Sequence, residues 1–465
     1  MKFKYYIKYT VMLTLCIIGL TSCDKYLDIQ PKGKTLLTTV TDYNQWLTSM
    51  EVETSMPNEL NRFADNIDDI TIPAIPVTNI AMSYLWYDQF SLDVTAVPIL
   101  WARHYKSIYY FNTVLSGIDE ATNGTEKQKA SLKAEALLGR ALEYLYLVNE
   151  YGKSYDPATA STDLAVPFVE LIDLNKPIPE RSTVKFIYDQ IVSDITAALP
   201  NLPTDNSKNR FRGTVAGAYS ILARTYLYMH NYPEAQKNAQ LALANGPNTV
   251  IDYNVSGVAG IGLPIVRTEA IYARMAVSAG NVSAEVPTVT FLRSFATGDL
   301  RLKFWYLPTT NLSFPTRGTT LFYPGAPNIV APTQNPYQNW GTSVAEMRLI
   351  IAEGAARSND LSIALTQLDL VRKCRIPSNV YTKFSSAIQE TVIQTVLKER
   401  VFEMPFNGTR WFDMRRLDAE GRMPTVIRQN STGATIATLA PGSPRYTLQI
   451  PLQIMYYHPD WIQNP

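Results

Sequence analysis

The chain has 465 residues, of which 46% are hydrophobic and only 18% are charged. A chain of this length buries a large core, either in one big domain or in two to three ordinary ones. Its 42 basic and 41 acidic residues give a formal net charge of +1, and they form no block of Lys or Arg. Nucleic acid requires a concentrated positive surface, so we expect no nucleic-acid partner. Aromatic side chains, at 11%, suit contact with sugars or peptides better.

Residues 1–22 have the pattern of a bacterial lipoprotein signal peptide. Three lysines within the first eight residues precede an apolar run over 11–20. This run is far shorter than the roughly 20 residues needed to span a bilayer. Leu20-Thr21-Ser22-Cys23 then resembles a lipobox, in which Cys23 is acylated and becomes the first residue of the mature chain. The alternative is an ordinary signal peptide followed by a coincidental cysteine. Two or three acyl chains on one cysteine would anchor the protein stably.

The segment after the cysteine is polar and is predicted to form a tether over residues 23–40. An irregular insertion follows over about 51–98, and it contains Asp65, Asp68 and Asp69 close together. Their spacing does not match an EF-hand, because the required glycine and terminal glutamate are missing. A solvated loop is favoured over a metal site, although the sequence leaves open whether a structural metal ion is bound.

Residues 219–247 have the spacing of a tetratricopeptide repeat, a helix–turn–helix unit with small residues where its two helices touch. Ala223, Ala235 and Ala239 occupy small packing positions, and Pro233 suits the first turn of the second helix. Such a unit cannot bury its apolar face alone. We therefore expect neighbouring helices on both sides.

Paired helical patterns predict repeat-like helices over about 99–247 and again over 343–417. The stretch between them, 248–342, is rich in Pro, Gly, Thr and aromatic residues and is predicted to be a second irregular insertion. The end of the chain, 446–465, has a strand-like pattern. The predicted fold class is mostly α, with a TPR-like helical-repeat scaffold of about four helix pairs. Long irregular loop insertions and minor β-structure complete this prediction.

Patterns typical of catalysis are missing. The histidines at 104, 230 and 458 are far apart and none has the spacing of a metal ligand. The chain has no P-loop and no Gly-x-Ser-x-Gly elbow. Glu399 and Glu403 lie one helical turn apart among arginines, whereas a glycosidase needs two carboxylates facing each other across a cleft. An ion-paired network is favoured there, so we expect no catalytic residues, no cofactor and no enzymatic activity.

Several short motifs occur in a fixed order along nearly the whole chain, together with the helical pairs. They are 23–33 (Cys-Asp-Lys-Tyr-Leu-Asp-Ile-Gln-Pro-Lys-Gly), Trp101-x3-Tyr105-x2-Ile108-x3-Asn112, Lys398-Glu399-Arg400-x2-Glu403, 408–416 (Gly-Thr-Arg-Trp-Phe-Asp-Met-Arg-Arg) and Asn464-Pro465. In this arrangement the chain resembles the SusD/RagB family of Bacteroidetes outer-membrane lipoproteins. One departure is near the end, where the family often has Pro-Ile-Pro and an acidic residue but this chain has Gln449-Ile450-Pro451-Leu452.

The resemblance implies a nutrient-binding lipoprotein of the outer membrane that faces the cell exterior. Such a protein captures an oligosaccharide or peptide and delivers it to a SusC-like TonB-dependent outer-membrane transporter. After the signal peptide 1–22, residues 23–465 would form a single SusD-like domain. Two alternatives remain: a surface-anchored glycoside hydrolase and a TPR-type protein-interaction scaffold.

The predicted ligand-contact residues are Trp86, Trp305, Tyr306, Tyr323 and Trp340, which lie in irregular, aromatic-rich segments. Loops often carry function, and sugar rings pack their apolar C–H faces on flat aromatic rings. The alternative is that these aromatics pin long loops onto the scaffold, because large rings bury much area. The sequence leaves open which ligand is bound, which residues contact the transporter, and the oligomeric state of the complex.

Overall fold

The computed structural model places most of the chain. It describes residues 37–465 except 70–71, 73–75, 77, 171, 174, 257–263, 277–284, 306–338 and 431–432. The predicted signal peptide, Cys23 and most of the predicted tether lie outside the described residues. Residues 39–465 form one compact unit.

Helices dominate the described chain, which confirms the predicted fold class. They are α1 (Val40–Trp46), α2 (Met50–Glu53), α3 (Asn79–Tyr84), α4 (Ile99–Gly117), α5 (Glu126–Tyr151), α6 (Val184–Ala198), α7 (Val215–Tyr228), α8 (Tyr232–Asn245), α9 (Tyr253–Ser256), α10 (Val289–Arg293), α11 (Leu300–Phe304), α12 (Val344–Arg357), α13 (Leu361–Arg372), α14 (Gln389–Glu403), α15 (Thr409–Ala419) and α16 (Leu452–Tyr457). The main packed pairs are α4 with α5, α5 with α6, α7 with α8, and α12 with α13. Helix α12 also packs on α8 and α14, so the repeats bury their apolar faces on one another.

The boundaries of α8 follow from the sequence. Asn231 caps its first turn, with its side chain accepting a hydrogen bond from the amide of Glu234 at 3.3 Å. Pro233 stands in the first turn, where its missing N–H costs nothing. The helix ends at Asn245, before Gly246. Ala239, a predicted packing residue, is fully buried.

Glycines allow the closest helix contacts. A Cβ atom on Gly139 of α5 would lie 2.2 Å from the ring of Phe111 on α4. A Cβ atom on Gly354 of α12 would lie 3.0 Å from the backbone oxygen of Tyr232 on α8. Both helix pairs therefore need a residue without a side chain at the crossing.

The described strands form small two-stranded antiparallel sheets. The pairs are β1 (Ile67–Asp69) with β5 (Glu285–Pro287), β2 (Leu164–Pro167) with β3 (Arg181–Thr183), β4 (Ala270–Tyr272) with β6 (Thr342–Ser343), and β7 (Val426–Gln429) with β8 (Thr435–Leu439). Described parts of the predicted insertions therefore contain short elements. The prediction of a strand-like end was wrong, because 446–465 contains the helix α16 and none of these strands. The alternating pattern there reflects a chain anchored on one side by Leu448 and Ile450, both buried.

An ion-paired network fills the space between the late helices, as predicted from Glu399, Arg400 and Glu403. Arg224 of α7 donates two hydrogen bonds to Glu346 of α12, at 2.9 and 2.6 Å. Arg400 of α14 donates to Asp413 of α15 at 2.7 Å. Arg416 donates to both oxygens of Glu353, at 2.7 and 2.9 Å. These side chains are at most 5% exposed, so the charged residues along these helices join them inside the protein.

The two glutamates considered as catalytic candidates belong to the same network. Arg375 lies within 2.5 Å of Glu403 and within 2.8 Å of Glu269. Arg301 lies within 2.7 Å of Glu399 and 3.0 Å of Glu403. Because arginines hold these carboxylates, their geometry is that of a structural cluster.

A second buried cluster joins α4 and α5. The ring of His104 lies between two carboxylates, with Nδ1 2.7 Å from Glu143 and Nε2 3.1 Å from Glu150. All three side chains are fully buried. Burial by itself lowers the pKa of His104, but the charges and hydrogen bonds of Glu150 and Glu143 outweigh it and raise the pKa to about 9. The imidazole is therefore a cation at neutral pH.

Candidate ligand-binding groove

A groove of about 230 Å³ opens on the surface where α4 begins. One wall is the chain that leads from α3 into α4, and the other is the segment just before and within α16. Its lining residues are Glu59, Arg62, Phe63, Asn79, Ile80, Ser83, Gln89, Phe90, Ser91, Asp93, Ala96, Val97, Pro98, Ile99, Leu100, Tyr151, Gln449, Pro451, Leu452 and Gln453. Most of this lining is apolar, with amide and hydroxyl groups among the aliphatic and aromatic side chains.

The first wall is shaped by Trp86. Its backbone is left-handed, with φ of 55°, which is uncommon for a large residue. The buried ring donates from Nε1 to the backbone oxygen of Phe63 at 2.9 Å and lies 4.3 Å from the guanidinium of Arg428. With Trp86 held inward, the chain turns and leaves Tyr87 47% exposed. Phe90, half-buried, then reaches the groove and contacts Phe63 at 5.1 Å between ring centroids.

The second wall is held by the last residues of the chain. Asn464 donates to the backbone oxygens of Tyr151 and Leu448, both at 2.7 Å. The side-chain oxygen of Asn464 accepts a hydrogen bond from Arg181 at 2.6 Å. Gln463 and Ile450 exchange two further hydrogen bonds, at 2.7 and 2.8 Å. These contacts fix the C-terminal segment against the end of α5, which explains the terminal Asn-Pro motif.

Amide side chains tie the two walls together. Gln89 donates to the side-chain oxygen of Gln449 at 2.9 Å and to the backbone oxygen of Ile450 at 3.1 Å. Gln453 donates to the backbone oxygen of Thr95 at 3.2 Å. Each of these amides keeps further hydrogen-bonding capacity, since a primary amide has two donors and two acceptor sites. The groove therefore combines an apolar surface with groups that bond hydroxyls or peptide units.

Charged groups also line the groove, because Glu59, Arg62 and Asp93 belong to its lining. Asp93 is exposed, and hydrogen bonds from the hydroxyl and amide of Thr95 lower the pKa of its carboxyl. Close by, Asp88 and Arg445 form an exposed ion pair at 3.2 Å. The apolar part between these groups suits an uncharged ligand or segment best, because an unpaired charge loses solvation there.

The structure places three of the predicted ligand-contact residues inside the protein. Trp86 and Trp340 are 2% and 1% exposed, and Trp305 is 7% exposed. No ring contact joins any two of these three within the described part of the chain. Tyr306 and Tyr323 lie outside the described residues, and the ligand role of all five stays a prediction.

Each buried tryptophan has local partners that explain its position. The backbone oxygen of Trp340 accepts from Tyr146 at 2.8 Å and from Arg224 at 3.2 Å. Trp305 donates to the hydroxyl of Tyr253 at 3.0 Å. Trp305 also borders a cavity of about 60 Å³, which is well below the size of usual small-molecule sites. These contacts match the alternative in which aromatic rings pin irregular segments onto the scaffold.

Sequence reasoning missed the groove itself. The dense aromatic run around Trp86 was a usable signal, but it did not show that Phe90 rather than Trp86 lines the groove. Local pattern did not point to Gln449, because its contribution depends on a hydrogen bond with Gln89 across 360 residues, or to Leu452. Their departure from the family's usual C-terminal sequence was the one visible feature.

The sequence favoured a solvated loop for this acidic segment, but Asp65 and Asp68 are held by side chains of the scaffold. Asp65 accepts two hydrogen bonds from Arg410, at 2.8 and 2.5 Å, and Asp68 accepts from Tyr84 at 2.8 Å. The segment is thereby fastened to α15 and α3. Across the residues with a described placement, no cluster of three His, Cys, Asp or Glu side chains has a geometry that could hold a metal ion. Over the same residues, no helix has the length and hydropathy required to cross a bilayer.

The fold and groove define a helical-repeat scaffold that carries an apolar surface groove lined with amides. Two family models match the chain in order: one described as "Starch-binding associating with outer membrane" over residues 25–227, and the SusD family over residues 338–465. The chain belongs to the SusD/RagB family, as its motifs predicted.

Relatives at the level of sequence and structure agree with this assignment. A SusD-like protein from Bacteroides ovatus is 26% identical over 231 residues, which cover 47% of this chain and 39% of that protein. A SusD superfamily structure from Bacteroides thetaiotaomicron has a TM-score of 0.75 at 20% identity and covers 92% of this chain and 100% of that chain. A SusD-like carbohydrate binding protein from Bacteroides vulgatus has a TM-score of 0.65 at 17% identity, with 89% and 95% covered. At these identities the two structures show a shared fold.

Proposed function

We propose that this protein captures an oligosaccharide at the cell surface and that the groove holds it. The observation that carries the proposal is the composition of the groove, where Phe90 and aliphatic walls lie beside the amides of Gln89, Gln449 and Gln453. A pyranose ring presents an apolar face and a rim of hydroxyls, so it matches both parts. Membership of a family whose model is described as starch-binding supports the same ligand class.

Titration calorimetry of purified protein with a panel of oligosaccharides tests this assignment. We expect Phe90→Ala to weaken binding by about 5- to 150-fold, by analogy with the 1–3 kcal/mol of base–aromatic stacking. Gln89→Ala should weaken it as well, because it removes a donor and loosens the contact with Gln449. Phe186→Ala is the matched control, since this ring is 42% exposed and contacts a single other phenylalanine, Phe168. Equal affinity in wild type and both groove variants would refute the groove as the ligand site.

A peptide is the second candidate ligand. The aliphatic side chains of Ile80, Val97 and Leu452 in the groove favour it, because they offer shape rather than flat rings for stacking. The same titration with hydrophobic peptides separates the two classes. Peptide binding that depends on Phe90, without any oligosaccharide binding, would assign the groove to peptides.

We further propose that the protein acts by binding alone, without a catalytic step. The ion pairs of Glu399 and Glu403 with arginines support this, because neither carboxylate faces its partner across an open cleft. Incubation with each bound oligosaccharide should leave its length unchanged by chromatography. Release of shorter products by the pure protein would favour the hydrolase alternative instead.

Anchoring through Cys23 and delivery to a SusC-like TonB-dependent transporter complete the proposal. The lipobox pattern and the outer-membrane description of the matching family model support it. Cys23→Ala should release the protein from the membrane fraction, and detergent extraction of the tagged wild type should recover one large β-barrel protein. A Cys23→Ala variant that stays in the membrane fraction would contradict the anchor, and repeated recovery without a barrel would contradict the partner.

A further inference from the structure

Helix α16 carries two solvent-exposed aromatic rings next to the groove. Tyr456 and Tyr457 are 63% and 68% exposed, their ring centroids are 5.3 Å apart, and their planes are nearly perpendicular at 79°. Two large rings exposed side by side on one short helix make this surface a candidate for ligand contact.

The helix places these rings in line with the groove. Leu452 and Gln453 line the groove, whereas Ile454 and Met455 pack against the core. Tyr456 follows Leu452 by four residues and Gln453 by three, so it lies on the groove side one turn further along the helix. The axial distance from Leu452 to Tyr456 is about 6 Å at 1.5 Å per residue. A chain-like ligand that leaves the groove along α16 therefore meets Tyr456 next.

Helix α16, which carries these two rings, is held in position by contacts at both of its ends. Gln453 bonds Thr95 across the groove at 3.2 Å, and the amide of His458 donates to Ile454 at 3.0 Å. Beyond the helix, His458 stacks on the buried Trp461 with centroids 4.2 Å apart. Because the helix is already ordered by these contacts, a ligand does not have to order its backbone on binding, which favours affinity.

The segment is also uncharged. From Tyr446 through Pro459 the sequence contains no Asp, Glu, Lys or Arg. An anionic ligand would gain no charged partner on α16, whereas a neutral sugar uses the ring faces for stacking and the phenol groups for hydrogen bonds. Tyr456 and Tyr457 therefore suit a neutral chain better than an anionic one.

We propose that Tyr456 and Tyr457 form a second subsite that binds further sugar units of a neutral oligosaccharide whose first units occupy the groove. This inference rests on the proposed function of the groove and extends it to the length and charge of the ligand. It predicts that affinity rises with chain length and that the rise depends on these two rings.

The experiment is a calorimetric titration with length series of malto-, cello-, xylo- and manno-oligosaccharides, and with oligogalacturonides as an anionic series. For the series that binds, the wild type should gain affinity with length. Tyr456→Ala/Tyr457→Ala should lose about 5-fold or more for the longest member and less than about 2-fold for the shortest. Tyr109→Ala, a 38% exposed tyrosine on α4, is the matched control and should behave as the wild type.

The possible results distinguish failure of the second subsite from failure of the proposed groove function. If no oligosaccharide binds the wild type, the proposed function of the groove fails and the subsite fails with it. If binding depends on Phe90 but the double tyrosine variant keeps the full gain with length, the groove stands and the second subsite is overturned. Tighter binding of the anionic series than of every neutral series would overturn the ligand class assigned to α16.

Discussion

The C-terminal helices and the groove differ in which side chains they bury and which they expose. Between α7, α12, α14 and α15, charged groups are buried and meet partners, so that Arg224 and Glu346 are each 1% exposed. Around the groove, apolar groups are left in water, with Leu92 at 78% and Val97 at 64% exposure. The first arrangement joins the helices through paired charges, while the second leaves an apolar surface available for contact.

The buried ion pairs contribute to stability, whereas the exposed apolar side chains are available for binding. Breaking a buried ion pair leaves an uncompensated charge in a medium that solvates it poorly, so the penalty appears in folding. Changing an exposed apolar side chain removes little that was buried on folding. Variants in the two regions should therefore differ in kind: the helical region affects unfolding, and the groove region affects ligand affinity.

The largest expected effect is the loss of Arg224. Arg224→Met leaves Glu346 without its bidentate partner inside the core and should lower the free energy of unfolding by about 3–5 kcal/mol. Urea denaturation measures the change. Lys237→Met is the control, because its pair with Glu234 is 64% and 39% exposed and should contribute less than about 1 kcal/mol. Similar losses in both variants would remove the distinction between buried and surface charges.

A second effect is a dependence of stability on pH. The pKa of His104 rises from an ordinary 6.5 to about 9 on folding, because two buried glutamates hold the imidazolium. The resulting stabilisation is complete below pH 6.5 and is lost as the pH rises through 9. By linkage it is on the order of 3 kcal/mol.

Unfolding measured in urea from pH 6 to 10 should show this decline in the wild type. His104→Gln should start from lower stability and lack this part of the decline, while His458→Gln, away from the buried carboxylates, should follow the wild type. A wild-type profile that is flat between pH 6.5 and 9 would contradict a charged His104.

The smallest effect tests the groove side of the comparison. Leu92→Ser should change the free energy of unfolding by less than about 0.5 kcal/mol, since surface substitutions usually do little. Leu138→Ser, at a fully buried position of α5, should cost several times more. A large loss of stability in Leu92→Ser would mean that the exposed apolar face supports the fold.

Prediction from sequence worked best where interactions are local. The helix start at Asn231 and Pro233 and the small packing residue Ala239 were predicted correctly. Both features depend on neighbours within one helix turn or one helical hairpin. The network around Arg400 was also visible, because charges at one-turn spacing on adjacent helices have few other partners. The strand-like reading of the last segment failed, since alternation alone does not distinguish a strand from a chain anchored on one side.

At the candidate site, the direction in which each aromatic ring faces depends on the backbone around it. Trp86 was predicted to face a ligand because it lies in an aromatic, irregular segment, yet it packs on Arg428 and Phe63. Composition shows that such rings are available, but it does not show which side of a loop faces outward. Trp86 has a left-handed backbone, and its ring is buried while Tyr87 is exposed to solvent.

By itself, the sequence determined the helical class, the repeat spacing, the charged motifs and the family, because these are recorded in local periodicity and in the order of short patterns. The tertiary structure decided which residues form the groove. Gln89 meets Gln449, and Thr95 meets Gln453, only after the C-terminal segment is fastened to the end of α5 by Asn464. These contacts depend on where distant segments end in space, a property of the packed chain that neighbouring residues do not encode.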